Sequence, residues 1–299
     1  MKEKKKNSTL ICNNGFIIFF LASLAILFHN PRAYSKEPTK LQSEYYKNLL
    51  DVVDKKLPIA GQCFLINGDT AFMIMPKEPR KGRAIPWIWY APTLPGLPGP
   101  EESWMFGKFL AAGIAICGID VGESYGSPAG CTVYSAFYKE MVEKHNMSPK
   151  ACLLARSRGG LMLYNWAAEN PGSVACIVGI YPVCNLKSYP GLAKACQSYG
   201  LTEAELTAQL AQYNPIDRLV LLAREKVPIF HIHGDSDVVV PLKDNSGELA
   251  KRYREMGGPI KLVIVPGQGH NMWQGYFQCQ ELVDFLIRYA TPPVTSVKE

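Results

Sequence analysis

Three polar residues lie far apart in this chain: Ser157, Asp237 and His270. Their types could make a nucleophile, an acid and a base. A serine hydroxyl is a weak nucleophile. It needs a histidine to take its proton, and the histidine needs a carboxylate to orient it. Ser157 sits in LLARSRGG (Leu153–Gly160), two residues past the apolar run ACLLA and at the head of the helical pattern GGLMLYNWAAENP. An exposed catalytic serine usually stands in Gly-x-Ser-x-Gly, because the turn is tight and the flanking positions must be small. Gly159 fits that rule, and Ala155 departs from it by one methyl. A serine at a helix start can equally be a simple N-cap. Arg156 and Arg158 are expected to project from the turn toward solvent or a ligand.

The partners lie downstream. The segment FHIHGDSDVVVP (Phe230–Pro241) offers Asp235 and Asp237. Asp235 directly follows His-Gly and suits the turn itself. Asp237 lies further out and is favoured as the acid. His270 lies in VPGQGHN, a Gly-rich loop directly past an apolar run, and is free to lean over the site. His231 and His233 fall within or at the end of a strand pattern and read as core or supporting residues, and His145 reads as exposed on a helix.

The elements that must position these groups follow from hydrophobic patterning. CFLINGDTAFMIMP is a hairpin signal, two alternating runs around Asn67-Gly68. Strand-length apolar runs then occur at 85–90, 114–119, 151–155, 174–180, 228–232 and 261–265. Helical stretches separate them near 102–112, 133–145, 159–169, 202–222, 243–256 and 275–289. Strands alternating with helices predict an α/β fold, an eight-stranded, mostly parallel sheet with helices on both faces, over residues 57–291. In such a sheet, ligands bind beyond the carboxyl ends of the strands, where all three residues fall. Residues 36–56 read as an amphipathic helix, 181–227 as a short lid-like insertion, and 292–299 as a flexible tail.

The first 35 residues carry four lysines, the apolar stretch FIIFFLASLAILF and then Ala33-Tyr34-Ser35. That order predicts a signal peptide and a secreted or periplasmic protein without stable membrane insertion after cleavage; the alternative is an uncleaved N-terminal anchor. Removing the segment takes away five bases and one acid and leaves a net charge of +2. A nearly neutral chain with no basic stripe argues against nucleic acid as a partner. Eight of the nine cysteines then remain. Export permits disulfides, and Cys184 with Cys196, both in a loop-like stretch, is the expected pair. Cys117, Cys152 and Cys176 lie in strand patterns and read as buried thiols. No Cys-x-x-Cys or His-x-x-x-His spacing is present, so a structural zinc site is not expected, and the serine-histidine-aspartate reaction requires no metal or cofactor.

From about residue 57 to 291 the chain resembles the α/β-hydrolase superfamily in its serine esterase and prolyl-oligopeptidase-like branch. ARSRGG resembles the nucleophile elbow, HGDSDVVVP the acid loop and GQGHNMW the histidine loop, in the order Ser, Asp, His. The resemblance implies Ser157 as nucleophile, Asp237 as acid and His270 as base. It also implies an oxyanion hole from the backbone N–H of Arg158 and one N–H of YAPTLPG. Pro92 and Pro95 cannot donate, and Thr93 is chosen over Leu94. The Ser-Arg pair resembles that of glucuronoyl esterases, in which a guanidinium could reinforce the oxyanion or meet a sugar-acid carboxylate; pairing with a structural acid is the alternative. GIDVGESYGSP (118–128) resembles the loop that supports the elbow in such proteins. Trp104 and Trp273 lie near loops that should frame the pocket, as substrate-binding faces or as packing. The expected reaction is cleavage of a small-molecule or carbohydrate ester. A prolyl-oligopeptidase-like peptidase and a non-catalytic binding protein on the same fold are the alternatives.

Overall fold

The computed structural model describes residues 55–79 and 82–291. The leader, most of the 36–56 helix and the tail lie outside them. The chain enters the sheet through a hairpin of β1 (Gln62–Ile66) and β2 (Asp69–Ile74). Its turn residues Asn67 and Gly68 both take positive φ, 54° and 97°, the conformation a two-residue Asn-Gly turn demands. Six further strands follow: β3 (Trp87–Tyr90), β4 (Ala115–Ile119), β5 (Ala151–Arg156), β6 (Val174–Ile180), β7 (Ile229–Gly234) and β8 (Ile260–Val265). The sheet order is β1-β2-β4-β3-β5-β6-β7-β8; β1, β2 and β4 pair antiparallel and the rest parallel.

The strands β3 to β7 are buried on both sides, which is why they read as unbroken apolar runs, whereas the edge strand β8 is only partly covered, with Lys261 and Ile264 exposed. In β3 the two faces separate with period two: Trp87 and Trp89 join one core, Ile88 and Tyr90 the other. The first core is closed by α2 (Pro128–Lys144), α3 (Gly159–Glu169) and α4 (Ser246–Glu255) through Phe137, Trp166 and Tyr253. The second is closed by α1 (Ser103–Ala111) and α5 (Gln280–Ala290) through Phe106, Phe109, Leu282 and Leu286. Truncating one of these buried leucines to alanine removes about 2–5 kcal/mol.

Two expected helices are broken. The 202–222 stretch is three short helices, Glu203–Ala208, Leu210–Tyr213 and Val220–Arg224, with a 3-10 turn at Pro215–Asp217. Pro215 holds Asn214 extended (ψ 119°), which ends the preceding turn. The 275–289 stretch divides into Gln274–Phe277 and α5, because Cys279 is also extended (ψ 100°). The insertion 181–227 carries its own small core, in which Val183, Leu186, Ala195, Leu206 and Leu210 meet Tyr125 and Leu161.

Candidate active site

The elbow is built by steric necessity. Ser157 has a positive φ of 49°, a conformation that costs a non-glycine residue about 1–3 kcal/mol and persists only where neighbours impose it. They do: Ser157 N–H donates to Ile180 O (3.1 Å), and its carbonyl accepts from Val183 N–H (2.8 Å) and Gly160 N–H (3.0 Å). A Cβ on Gly160 would lie 2.3 Å from Val183 O, and one on Gly159 3.2 Å from Ala91 O. The departure at Ala155 is seated beside Gly179 of β6, a residue with no side chain of its own. Ser157 does not cap α3. The residue at the N-cap is Arg158, without a side-chain capping bond, and the serine hydroxyl turns elsewhere.

It turns to the histidine. Ser157 Oγ lies 2.9 Å from His270 Nε2, and His270 Nδ1 lies 2.8 Å from Asp237 Oδ2. The other oxygen of Asp237 accepts from the Val239 (3.0 Å) and Val240 (2.8 Å) amides. Burial opposes ionisation of Asp237, but hydrogen bonds from His233, His270 and the Val240 amide outweigh it and hold the carboxyl well below the usual range. Asp235 does something else: it is exposed, and its Oδ1 accepts from Ser236 Oγ (2.9 Å) and Gly267 N–H (2.8 Å), which fastens the two loops together. Tyr181, also at positive φ (37°), lays its ring 4.4 Å from that of His270, and burial pushes its hydroxyl up to about 12.

Among the described residues, the backbone N–H groups of Arg158 and Thr93 have no protein acceptor. Thr93 is buried, and its methyl lies 3.8 Å from where a Gly159 Cβ would stand, so its loop abuts the elbow. The Arg158 guanidinium pairs with Glu123 from the loop after β4, so its charge is answered by a carboxylate. Glu123 is in turn tied to the insertion, whose Ser198 hydroxyl donates to its carbonyl (2.9 Å).

A family model described as the prolyl oligopeptidase family matches residues 134–291, just over half of the chain and all three of these residues. The chain belongs to the prolyl oligopeptidase family. Its fold is that of the α/β-hydrolases. No curated protein matches it. Similar solved structures include dipeptidyl peptidase 4 from Porphyromonas gingivalis (TM-score 0.62, 13% identity, 76% of this chain and 35% of that one). They also include an S-formylglutathione hydrolase from Agrobacterium tumefaciens (TM-score 0.61, 14% identity, 80% and 98%). A third is Est1E from Butyrivibrio proteoclasticus (TM-score 0.57, 16% identity, 77% and 99%). The chain thus spans about a third of the length of the dipeptidyl peptidase and nearly all of the other two.

Within this family member several expectations are corrected. Arg156 does not reach solvent. Its side chain is 8% exposed, and its Nη1 donates to Glu102 Oε1 (2.6 Å), which also accepts from the Tyr90 hydroxyl (2.9 Å). The guanidinium stacks 4.9 Å over the Phe277 ring and against Met272, two residues past the histidine. Nothing in the spacing of PEESW marked Glu102 as its partner. Cys184 and Cys196 are not bridged: every cysteine among the described residues is free. Cys184 is packed in the core beneath the sheet, while Cys196 packs with the separate cluster of the insertion and its thiol faces Ala193 O (3.3 Å). Trp104 lines a cleft of about 400 Å³ with Met272, Gln274, Phe277 and Gln278. Trp273 is 41% exposed, edge-on to Tyr276 at 5.3 Å. Among the described residues, neither indole hydrogen-bonds to Ser157 or stacks on the His270 ring.

Proposed function

We propose that this protein is an exported esterase that cleaves carboxylic esters, carbohydrate-linked esters among them, through an acyl-enzyme. The observation that carries the reading is the line of close contacts from Ser157 through His270 to an anionic Asp237. Ser157 Oγ attacks the acyl carbon while His270 Nε2 takes its proton. The Arg158 and Thr93 amides receive the negative charge that forms on the carbonyl oxygen. Such donors are worth about 10²–10³ in rate each. The carbon–oxygen bond then breaks, and His270 returns the proton to the departing alcohol. Water, deprotonated by the same imidazole, releases the acid and restores Ser157.

The substrate class is supported by the rim. Val238 is 89% exposed, and Leu94, Met272 and Trp273 are also exposed, which suits a small apolar acyl or aryl group. The adjoining cleft, with Trp104 and Phe277 beside the amides of Gln274 and Gln278, has the mixture of ring faces and polar groups that a sugar engages. Export rests on the basic, apolar and small-residue order of residues 1–35. The family match supports a second reading, a peptidase served by the same triad. A panel of short-chain aryl esters, acetylated sugars, methyl glucuronate and peptide anilides separates the two. Ester turnover with slow anilide cleavage is expected; fast anilide cleavage without ester turnover would make the protein a peptidase. A folded protein that a fluorophosphonate fails to label would instead be a binding protein on a hydrolase fold.

A further inference from the structure

The catalytic-site carboxylate has a second histidine on it. His233, at the end of β7, is fully buried. Its Nε2 lies 2.9 Å from Val240 O and 3.3 Å from Asp237 Oδ2, the oxygen that also faces His270. Its Nδ1 lies 2.8 Å from Ser246 Oγ at the start of α4. The same hydroxyl lies 2.9 Å from His231 Nδ1, and His231 Nε2 lies 2.7 Å from the Tyr164 hydroxyl of α3.

One arrangement of protons gives every atom in this row a partner. Val240 O and Asp237 Oδ2 are both acceptors, so His233 carries its proton on Nε2. Its Nδ1 then accepts from Ser246 O–H. The hydroxyl oxygen accepts from His231 Nδ1–H, and His231 Nε2 accepts from Tyr164 O–H. Burial, with His233 beside it, pushes His231 down to about 3, so it is neutral and can accept there. With both rings neutral, reversing any one bond leaves two buried acceptors facing each other.

We propose that His233 is a positioning residue for the acid–base pair. Its Nε2–H, with the tautomer fixed by Ser246 and His231, donates to Val240 O and lies 3.3 Å from Asp237 Oδ2, where its positive end steadies the carboxylate and aims Oδ2 at His270. The proposal rests on the serine-hydrolase reading of the triad and is indifferent to whether the bond cleaved is ester or amide. The other ionisable groups around this pair are Tyr276 from the helix after the histidine loop, Asp235 in the acid loop, Tyr181 after β6 and, across Met272, Arg156. Only His233 and His270 bring a side-chain N–H to the Asp237 carboxylate among the described residues.

A carboxylate stripped of one donor concentrates its charge on the remaining one and holds the imidazole proton more strongly. The acidic limb of the rate profile should then move to higher pH. The test is the rate at which a fluorophosphonate labels the full chain as a function of pH. For His233→Leu, labelling should fall about tenfold at neutral pH, and the acidic limb should rise by about half a unit or more. His233→Gln places an amide N–H near the same point and should restore both to within about threefold. A folded His233→Leu protein with an unmoved limb would refute the proposal, and so would a folded glutamine variant that behaves like the leucine one. If His233→Leu does not fold, nitrogen NMR of the unaltered protein decides: a single Nε2–H form of His233 supports the assignment, and an Nδ1–H form overturns it. An unlabelled wild-type protein would remove the triad reading itself, a failure distinct from that of His233.

Discussion

At the scale of single residues, the two aspartates of the acid loop illustrate how neighbours assign roles to identical side chains. Asp235 and Asp237 are two positions apart and opposite in environment: the first is an exposed loop fastener, the second is buried on the histidine. Asp237→Asn should therefore lower kcat by about 10⁴, with the histidine in the wrong tautomer, while Asp235→Asn should cost less than about tenfold. Ser157→Ala should abolish fluorophosphonate labelling and cut turnover by about 10⁴ or more. Steady-state kinetics on any substrate the panel yields, with probe labelling alongside, checks all three. The Arg156–Glu102 pair makes a different prediction. Both groups are buried, and removing one leaves the other without a counter-charge. Arg156→Ala should destabilise the fold by about 3–5 kcal/mol in urea titration, whatever it does to turnover.

At the scale of elements, the elbow joins β5 to α3 and touches two loops, and the two glycines after the serine mark those approaches. A Cβ at Gly160 meets the Val183 carbonyl at 2.3 Å, which is backbone and cannot step aside. At Gly159 the nearest atom is at 3.2 Å, within reach of a small adjustment. Gly160→Ala should cost about 1–3 kcal/mol and impair turnover by tilting the turn, while Gly159→Ala should be milder on both counts. Thermal melts and kinetics on the pair check the contrast, and equal effects would mean the turn has more room than these distances allow. The loop after β4 acts on the same element. It brings Glu123 to Arg158 and is itself held by Ser198 of the insertion, so the insertion supports the elbow from the side.

At the scale of the whole molecule, stability should depend on acid in two windows. His231 has a lowered pKa in the fold, so its contribution is complete above the unfolded value of about 6.5 and is lost as pH falls toward about 3. Asp237 is also lowered, and its contribution is complete above about pH 4 and is lost below that. Denaturant titrations at a series of pH values should show a loss of about 1.4 kcal/mol per unit through the first window, flattened by His231→Gln. The margin over Asp237→Asn should narrow only in the second. Because the described cysteines are all free, a reductant should leave the melting temperature unchanged. The strands, the mostly parallel sheet and the order Ser157, Asp237, His270 were legible in the chain itself, because buried parallel strands need continuous apolar runs and a tight elbow needs small neighbours. Three things were decided only by packing: that Arg156 turns inward to Glu102, that Cys184 and Cys196 belong to different cores, and that His233 shares the acid with His270. Local pattern records which residues are apolar and where the chain can bend; it does not record which polar groups meet across distances of 12 to 113 residues, because that is set by where the strand ends and loops converge.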